Sequence, residues 1–292
     1  MSRMLSITDL IKFSLPRPVF SLILYSMSYL DALEQESIYI IREAYSRLRR
    51  IGLMWSIGKD STTLLWLCRK AFLGKIPFPA IHIDTGYKFK EIYAFRDRYT
   101  YEFGLDLIIA QNSAARSSGM SPDKGKFACC NALKTQALKD CLAEHQFKAL
   151  LLAIRRDEHG IRAKERTFSP RDAEQRWDYQ NQPLELWNQC QTALAADQHL
   201  RIHPLLGWRE IDVWRYILKE KIPVVDLYFA KNGQRYRSIG CETCCSPVDS
   251  NADSVRKIIR ELETTTISER SGRAQDKEDA YNMQKLRSLG YM

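Results

Sequence analysis

Short apolar runs alternate along the chain with longer stretches in which apolar positions recur every three or four residues. Ile51-Gly52-Leu53-Met54-Trp55, Ala80-Ile81-His82-Ile83, Leu105–Ala110, Ala149–Ile154 and Leu200–Leu205 are of the first kind. They read as strands buried on both faces. Residues 29–50 are of the second kind, with Leu30, Leu33, Ile38, Ile41, Ala44, Tyr45 and Leu48 on one stripe and Glu34, Glu36, Arg42, Glu43 and Arg47 between them. Further helices are expected from Thr63, over 88–103, from Asn131 to His145 and over 209–220. The alternation predicts an α/β fold, a doubly wound parallel sheet with its ligand at the carboxyl ends of the strands. Leu200–Leu205 is expected at an edge of that sheet, and Ser113–Lys126 as a loop.

The pattern leaves three stretches outside the alternation. Residues 1–28 hold Pro16-Arg17-Pro18 and an apolar run, Val19–Tyr25, much shorter than the roughly 20 residues that cross a bilayer. They read as an N-terminal extension, with Met27 as an alternative start. Residues 165–197 are rich in aromatic and amide side chains such as Trp177, Tyr179, Asn181, Gln182 and Trp187, and are expected to pass over the active-site edge. Residues 250–292 are charged and partly helical, and are expected as a surface tail behind a domain spanning 29–249.

One junction carries chemistry. Ser56-Ile57-Gly58-Lys59-Asp60-Ser61-Thr62 joins the first strand to a helix. A strand that turns through small, hydroxyl-rich residues into a helix aims backbone N–H groups at one point, which suits phosphate. Gly58 lets the chain come close, the three hydroxyls donate, and Lys59 adds positive charge. The spacing is not that of the Walker A loop. Asp84-Thr85-Gly86, just past the second strand, is expected beside the same ligand. Arg155, Arg156, Arg162, Lys164 and Arg166 follow the fourth strand as a cationic patch suited to an acceptor anion or an α-phosphate.

Composition narrows the ligand. The chain has 44 Lys and Arg against 35 Asp and Glu, a formal charge of +9, which favours polyanionic ligands: nucleotides, and nucleic acid as a further candidate. Eight cysteines are too few for a disulfide scaffold in a chain of this length. Their clustering as Cys129-Cys130 and Cys241-x-x-Cys244-Cys245 points to metal or redox chemistry in a reducing, cytoplasmic compartment. Cys68, Cys141 and Cys190 read as small core residues.

The Ser-x-Gly-Lys-Asp-Ser pattern resembles the PP-loop of ATP pyrophosphatases, which split ATP between the α and β phosphates and place AMP on an acceptor. With Asp84-Thr85-Gly86, Arg155-Arg156-Asp157-Glu158, Arg162-Ala163-Lys164-Glu165-Arg166 and Ser268-Glu269-Arg270-Ser271-Gly272-Arg273, residues 29–292 resemble the small subunit of bacterial sulfate adenylyltransferase. That subunit belongs to the adenylyl-sulfate and phosphoadenylyl-sulfate (PAPS) reductase superfamily of adenine nucleotide α hydrolases. The resemblance implies ATP, Mg2+ and an adenylated intermediate. Ser56, Gly58, Lys59, Asp60, Ser61, Thr62, Asp84, Thr85 and Gly86 are then expected to bind the nucleotide, with Asp60 as a metal contact. Lys59, Asp60, Arg155 and Arg156 are expected as catalytic groups, and Arg162, Lys164 and Arg166 at the acceptor.

Cys129-Cys130 followed by Lys134, and Gly240-Cys241-Glu242-Thr243-Cys244, resemble the cysteines that hold a [4Fe–4S] cluster in assimilatory adenylyl-sulfate reductases. The resemblance implies Cys129, Cys130, Cys241 and Cys244 as cluster ligands, with zinc or free thiols as the alternatives and Cys245 unassigned. No cysteine follows Cys245 to serve as the nucleophile of those reductases, so a reductase is disfavoured. Loop, cysteines and basic charge together resemble the ATP pyrophosphatases of DNA phosphorothioation systems. Sulfur incorporation into DNA is therefore the first expectation, with a cysteine desulfurase, DNA-modification proteins and DNA as partners. Sulfate activation beside a GTPase-type large subunit is the alternative, and a nucleotide-binding regulator the third. A homodimer is also compatible with the sequence.

Overall fold

A computed structural model describes residues 27–160, 162–185, 192, 198–273, 285–286 and 288–290. The expected N-terminal extension up to residue 26, Trp187 and Cys190 lie outside them. The chain opens with α1 (Tyr29–Leu48), started by Ser28, whose hydroxyl accepts from the Asp31 N–H at 3.2 Å while Asp31 accepts from the Ser28 N–H. There follow β1 (Ile51–Met54), α2 (Lys59–Ala71), β2 (Ala80–Ile83), α3 (Lys90–Phe103) and β3 (Leu107–Ala110). After them come α4 (Ser113–Ser117), α5 (Lys126–Cys130), α6 (Ala137–His145), β4 (Ala149–Leu151), β5 (Phe168–Arg171) and β6 (His199–Ile202). The chain continues through α7 (Glu210–Glu220), β7 (Gln234–Arg235), β8 (Val248–Asp249) and α8 (Val255–Thr264).

The main sheet has the order β3-β2-β1-β4-β6-β5, parallel except for the β5–β6 pair. Alternate residues of β1 serve its two faces: Ile51 and Leu53 join the core with α1, α2 and α7, while Met54 packs with Ala137, Leu138 and Leu142 of α6. Gly52 sits where a Cβ would come within 2.6 Å of Ile81 Cδ1, so the sheet leaves no room there for a side chain. The chain leaves β1 toward β2 on one side while β4 lies on the other. That reversal opens a crevice beyond the carboxyl ends of β1 and β4, where open α/β sheets bind ligands.

The structure departs from the sequence pattern in three places. Leu200–Leu205 is not an edge: β6 runs between β4 and β5, and β5, from the aperiodic stretch, forms the edge. Pro170 lies in β5, a position an edge strand tolerates because it need not donate to a further neighbour. The helix expected from Asn131 begins at Lys126 and passes through a π turn at Asn131–Gln136, and the loop before it holds α4. The described part of the chain beyond Ser250 is no surface tail. Ile258 of α8 is fully buried, and Glu269, Arg270 and Arg273 are buried as well.

Candidate nucleotide site

Beyond β1 the backbone turns through Ile57 at φ 69°, a left-handed conformation that a β-branched residue adopts only where the fold imposes it. The turn drops Ile57 into the core and delivers Gly58 as the residue before α2. Ser56 Oγ and Ser61 Oγ meet at 3.1 Å, and Ser61 donates to the Gly58 carbonyl at 3.1 Å. Ser56, Gly58, Lys59, Asp60 and Ser61 all line a single cleft, with Ala153 and Ile154 beyond β4 as part of its opposite wall. Thr62 is turned inward, where its hydroxyl accepts from Trp55 Nε1 at 3.2 Å. The Lys59 N–H donates to the Tyr228 hydroxyl at 2.8 Å, so one first-turn donor of α2 is already satisfied.

The charged centre of the cleft is a network rather than a bare cation. Lys59 Nζ binds Asp60 Oδ2 at 3.0 Å and also Glu269 Oε1, and it is only 1% exposed. Arg155, fully buried, donates to Asp60 Oδ1 at 2.7 Å, to Asp157 and to Glu269 Oε2. Burial opposes the Lys59 charge, yet Asp60 and Glu269 outweigh it and hold the ammonium above its usual range. Burial would likewise raise Glu269, but Arg155 and Lys59 hold its carboxyl well below the usual carboxylate range.

Glu269 arrives on a strap, residues 267–273, that is fastened at both ends. Arg237 donates to the Ile267 carbonyl at 2.7 Å while its other nitrogens bind Glu210. Ser246 N–H donates to the Gly272 carbonyl at 2.9 Å, and a Cβ on Gly272 would lie 2.5 Å from the Ser246 carbonyl oxygen. Only glycine lets the two segments come that close. Between these points Arg270 binds Glu158 at 3.1 Å, and Glu158 also holds Arg162.

The far side of the cleft is built from cations and thiols. Lys88, Lys134 and Arg273 line it beside Gly240. Cys241 accepts from or donates to Thr85 Oγ1 at 3.2 Å, and its backbone bridges to Lys88. Burial raises the Cys241 thiol, but Lys134, Lys88, the Thr85 hydroxyl and Arg273 bring it down to about 7. Burial, with Cys130 and Cys241 adding to it, pushes Cys129 up to about 12. The fold thus does bring Cys129, Cys130, Cys241 and Cys244 into one neighbourhood. Among the described residues, however, no group of three or more Cys, His, Asp or Glu is arranged to hold a metal ion. The cluster and zinc expectations therefore find no ligand set here. Cys245 has a structural place, accepting from the Gly240 N–H at 3.0 Å and from Arg273 Nη1 at 3.1 Å.

Other expected site residues fall elsewhere. Asp84 accepts from the Gly86 N–H, the Tyr93 hydroxyl and Gln111, each at 2.8 Å, and shapes the turn after β2; neither it, Thr85 nor Gly86 lines the cleft, whereas Ile83 does. Arg156 and Lys164 are exposed, and Arg166 is spent on the Pro183 carbonyl at 3.1 Å, so Arg162 alone of the expected acceptor group reaches the cleft wall. Glu269, Arg270, Arg273, Tyr228, Lys88 and Lys134 were not among the expected site residues. The Ser268–Arg273 motif and the Cys129-Cys130-x-x-x-Lys134 spacing were the signals that contained four of them.

Residues 50–247 match the phosphoadenosine phosphosulfate reductase domain family. Sulfate adenylyltransferase subunit 2 of Rhodospirillum rubrum is 41% identical over an alignment covering 91% of this chain and 100% of that protein. Among solved structures, a phosphoadenylyl-sulfate reductase from Candida auris in a phosphate complex aligns with a TM-score of 0.52 at 18% identity, over 76% of this chain and 98% of that one. An FMN adenylyltransferase from Candida glabrata in complex with ATP gives the same TM-score at 18% identity, over 75% and 63%. At such identities these two speak for the fold alone. Family match and relative together cover nearly the whole domain, and the chain belongs to the phosphoadenosine phosphosulfate reductase domain family.

Proposed function

We propose that this protein is an ATP pyrophosphatase that transfers AMP to sulfate, acting as the small subunit of a two-subunit sulfate adenylyltransferase. The observation that carries the reading is the cleft at the β1/β4 reversal, where the Ser56–Ser61 loop and the buried Lys59 meet in a chain 41% identical to such a subunit. A sulfate oxygen forms a bond to the α-phosphorus as the bond from that phosphorus to the bridging oxygen of the β-phosphate breaks. Pyrophosphate leaves with the electron pair, and nothing is oxidised or reduced.

The chain's contribution is positioning and charge. Lys59 has three donors, two of them used by Asp60 and Glu269, and the third is available to the departing pyrophosphate. Arg155 does not touch substrate in this reading; it holds Asp60 and Glu269 in register around Lys59. Mg2+, when bound, supplies neutralisation of the phosphate charge, and Asp60, partly exposed on the cleft wall, is the carboxylate suited to contact it.

Transfer to a DNA phosphate, favoured from cysteines and charge, is less well supported than sulfate. The relative's name speaks for sulfate, and several basic side chains, Lys59, Arg155, Arg171, Arg235 and Arg237, are buried in ion pairs rather than arrayed for a duplex. No helix among the described residues is long and apolar enough to cross a membrane. The test is isotope exchange of labelled pyrophosphate into ATP by the chain with its partner subunit. Exchange is expected only when sulfate is present, with no response to duplex DNA at low salt. Exchange that needs DNA and ignores sulfate overturns the reading.

A further inference from the structure

The described cysteines are all free thiols, and two of them stand in a fixed relation. Cys241 and Cys244 span a single 3-10 turn, Glu242–Cys244, closed by the Cys244 N–H donating to the Cys241 carbonyl at 3.0 Å. A turn closed this way holds its first and fourth Cα atoms less than about 7 Å apart, and disulfides bridge Cα atoms about 4.4–6.8 Å apart. The pair can therefore join by rotation of two side chains while the turn keeps its shape. In the reduced state the two sulfurs have different partners. Cys241 Sγ meets Thr85 Oγ1 at 3.2 Å, and Cys244 Sγ meets Thr243 Oγ1 at 3.8 Å.

The two thiols are also unequal. Burial raises both, but at Cys241 the charges of Lys134, Lys88 and Arg273 and the Thr85 hydroxyl outweigh it. Cys244 stays above the ordinary thiol value, with burial the main cause and Cys241 and Cys130 adding to it. That is the division between an attacking thiolate and a resolving thiol. Cys241 is 4% exposed and Cys244 3%, so a bulky reagent is excluded and the oxidant must be small. Hydrogen peroxide is barely larger than water.

We propose that Cys241 and Cys244 are a peroxide-sensitive dithiol that closes to an intrachain disulfide directly behind the wall of the nucleotide cleft. The Cys241 thiolate attacks one peroxide oxygen: an S–O bond forms, the O–O bond breaks, and hydroxide leaves and takes a proton from solvent. Cys244 sulfur then attacks the Cys241 sulfenic acid. The S–S bond forms, the S–O bond breaks, and the hydroxyl departs as water with the Cys244 proton. The two thiols lose a pair of electrons and the peroxide gains it. Closure replaces an anionic sulfur beside Lys88, Lys134 and Arg273, all on the cleft wall, by a neutral one. The cleft becomes more positive and holds a polyanion such as ATP more tightly, a consequence that rests on the cleft being the nucleotide site.

Differential alkylation tests the pair. The reduced full-length protein is treated with a slight excess of hydrogen peroxide, free thiols are blocked with one label, and the disulfide is then reduced and its cysteines marked with a second. Mass spectrometry finds the second label on Cys241 and Cys244 and the first on Cys129, Cys130 and Cys245. The result is read on the wild type, so no variant has to fold. Cys244→Ser stops at the sulfenic acid, which dimedone traps on Cys241. At pH 8 and low salt, a non-hydrolysable ATP analogue binds the oxidised wild type about 2–10-fold more tightly than the reduced, the scale of one unit charge near a polyanion. Dithiothreitol reverses the gain. The second label on Cys129, Cys130 or Cys245, or no disulfide before peroxide unfolds the protein, overturns the pair, as does iron or zinc held by these thiols in the purified chain. Equal affinity in the two redox states overturns the link to the cleft. A Cys241–Cys244 disulfide in a chain that binds no ATP analogue upholds the dithiol and removes the nucleotide reading of the cleft instead.

Discussion

Lys59→Ala lowers the rate of pyrophosphate release from ATP by about 10²–10³-fold or more, the scale of losing one preorganised charge contact to the transition state. From the sequence alone, Lys59 is a phosphate-loop charge whose loss is expected to spare the fold. The structure adds a stability effect, because Lys59 is 1% exposed and its removal leaves Glu269 to Arg155 alone. The double variant Lys59→Ala/Glu269→Gln separates the two: it recovers thermal stability relative to Lys59→Ala and recovers no turnover. Near-normal pyrophosphate release in the single variant would remove Lys59 from the reaction.

Arg155→Met has the largest expected effect on stability. Arg155 is fully buried and serves Asp60, Asp157 and Glu269 at once, so its loss leaves the buried Glu269 carboxylate with Lys59 as its remaining cation and releases the more exposed Asp60 and Asp157. Breaking such a site by removing one partner costs about 3–5 kcal/mol. For a domain of this size that lowers Tm by roughly 6–15 °C, measurable by calorimetry. The pH dependence has a definite sign. Arg155 and Lys59 depress the Glu269 carboxyl in the folded state, so its stabilisation is present above the ordinary value of 4.5 and is lost as pH falls below it. The variant keeps only the Lys59 share, so its stability falls less steeply below pH 4.5. A variant as stable as the wild type at pH 7 would show that the network contributes nothing to stability.

Much of this architecture can be read from the apolar runs, because β1, β2 and β4 are buried on both faces and their residues are apolar but for His82, whose ring is held by the Trp55 carbonyl. β5 is different. Phe168-Ser169-Pro170-Arg171 has no strand pattern of its own, and only the exposed flank of β6 makes it one. The phosphate loop is legible for a similar local reason: strand, turn and helix are consecutive in the chain. Glu269 is not, since it lies 210 residues from the lysine it binds, and no periodicity records such a pairing. The same holds for Lys88, Lys134 and Arg273, which three unrelated segments bring together. Conversely, Lys164 and Arg166 looked like part of a patch because they are neighbours in sequence, whereas the fold sends one to solvent and the other to a backbone carbonyl.

The most direct test follows the α-phosphate itself. The chain, together with the large subunit of the proposed enzyme, is incubated with ATP labelled at that phosphate, with sulfate, Mg2+ and inorganic pyrophosphatase, and the labelled products are separated. The account predicts label in adenylyl sulfate, formed with two inorganic phosphates from the released pyrophosphate for each one made, and absent when sulfate is omitted or when Lys59 is Ala. Label recovered as ADP, or carried to DNA with sulfate making no difference, would contradict it.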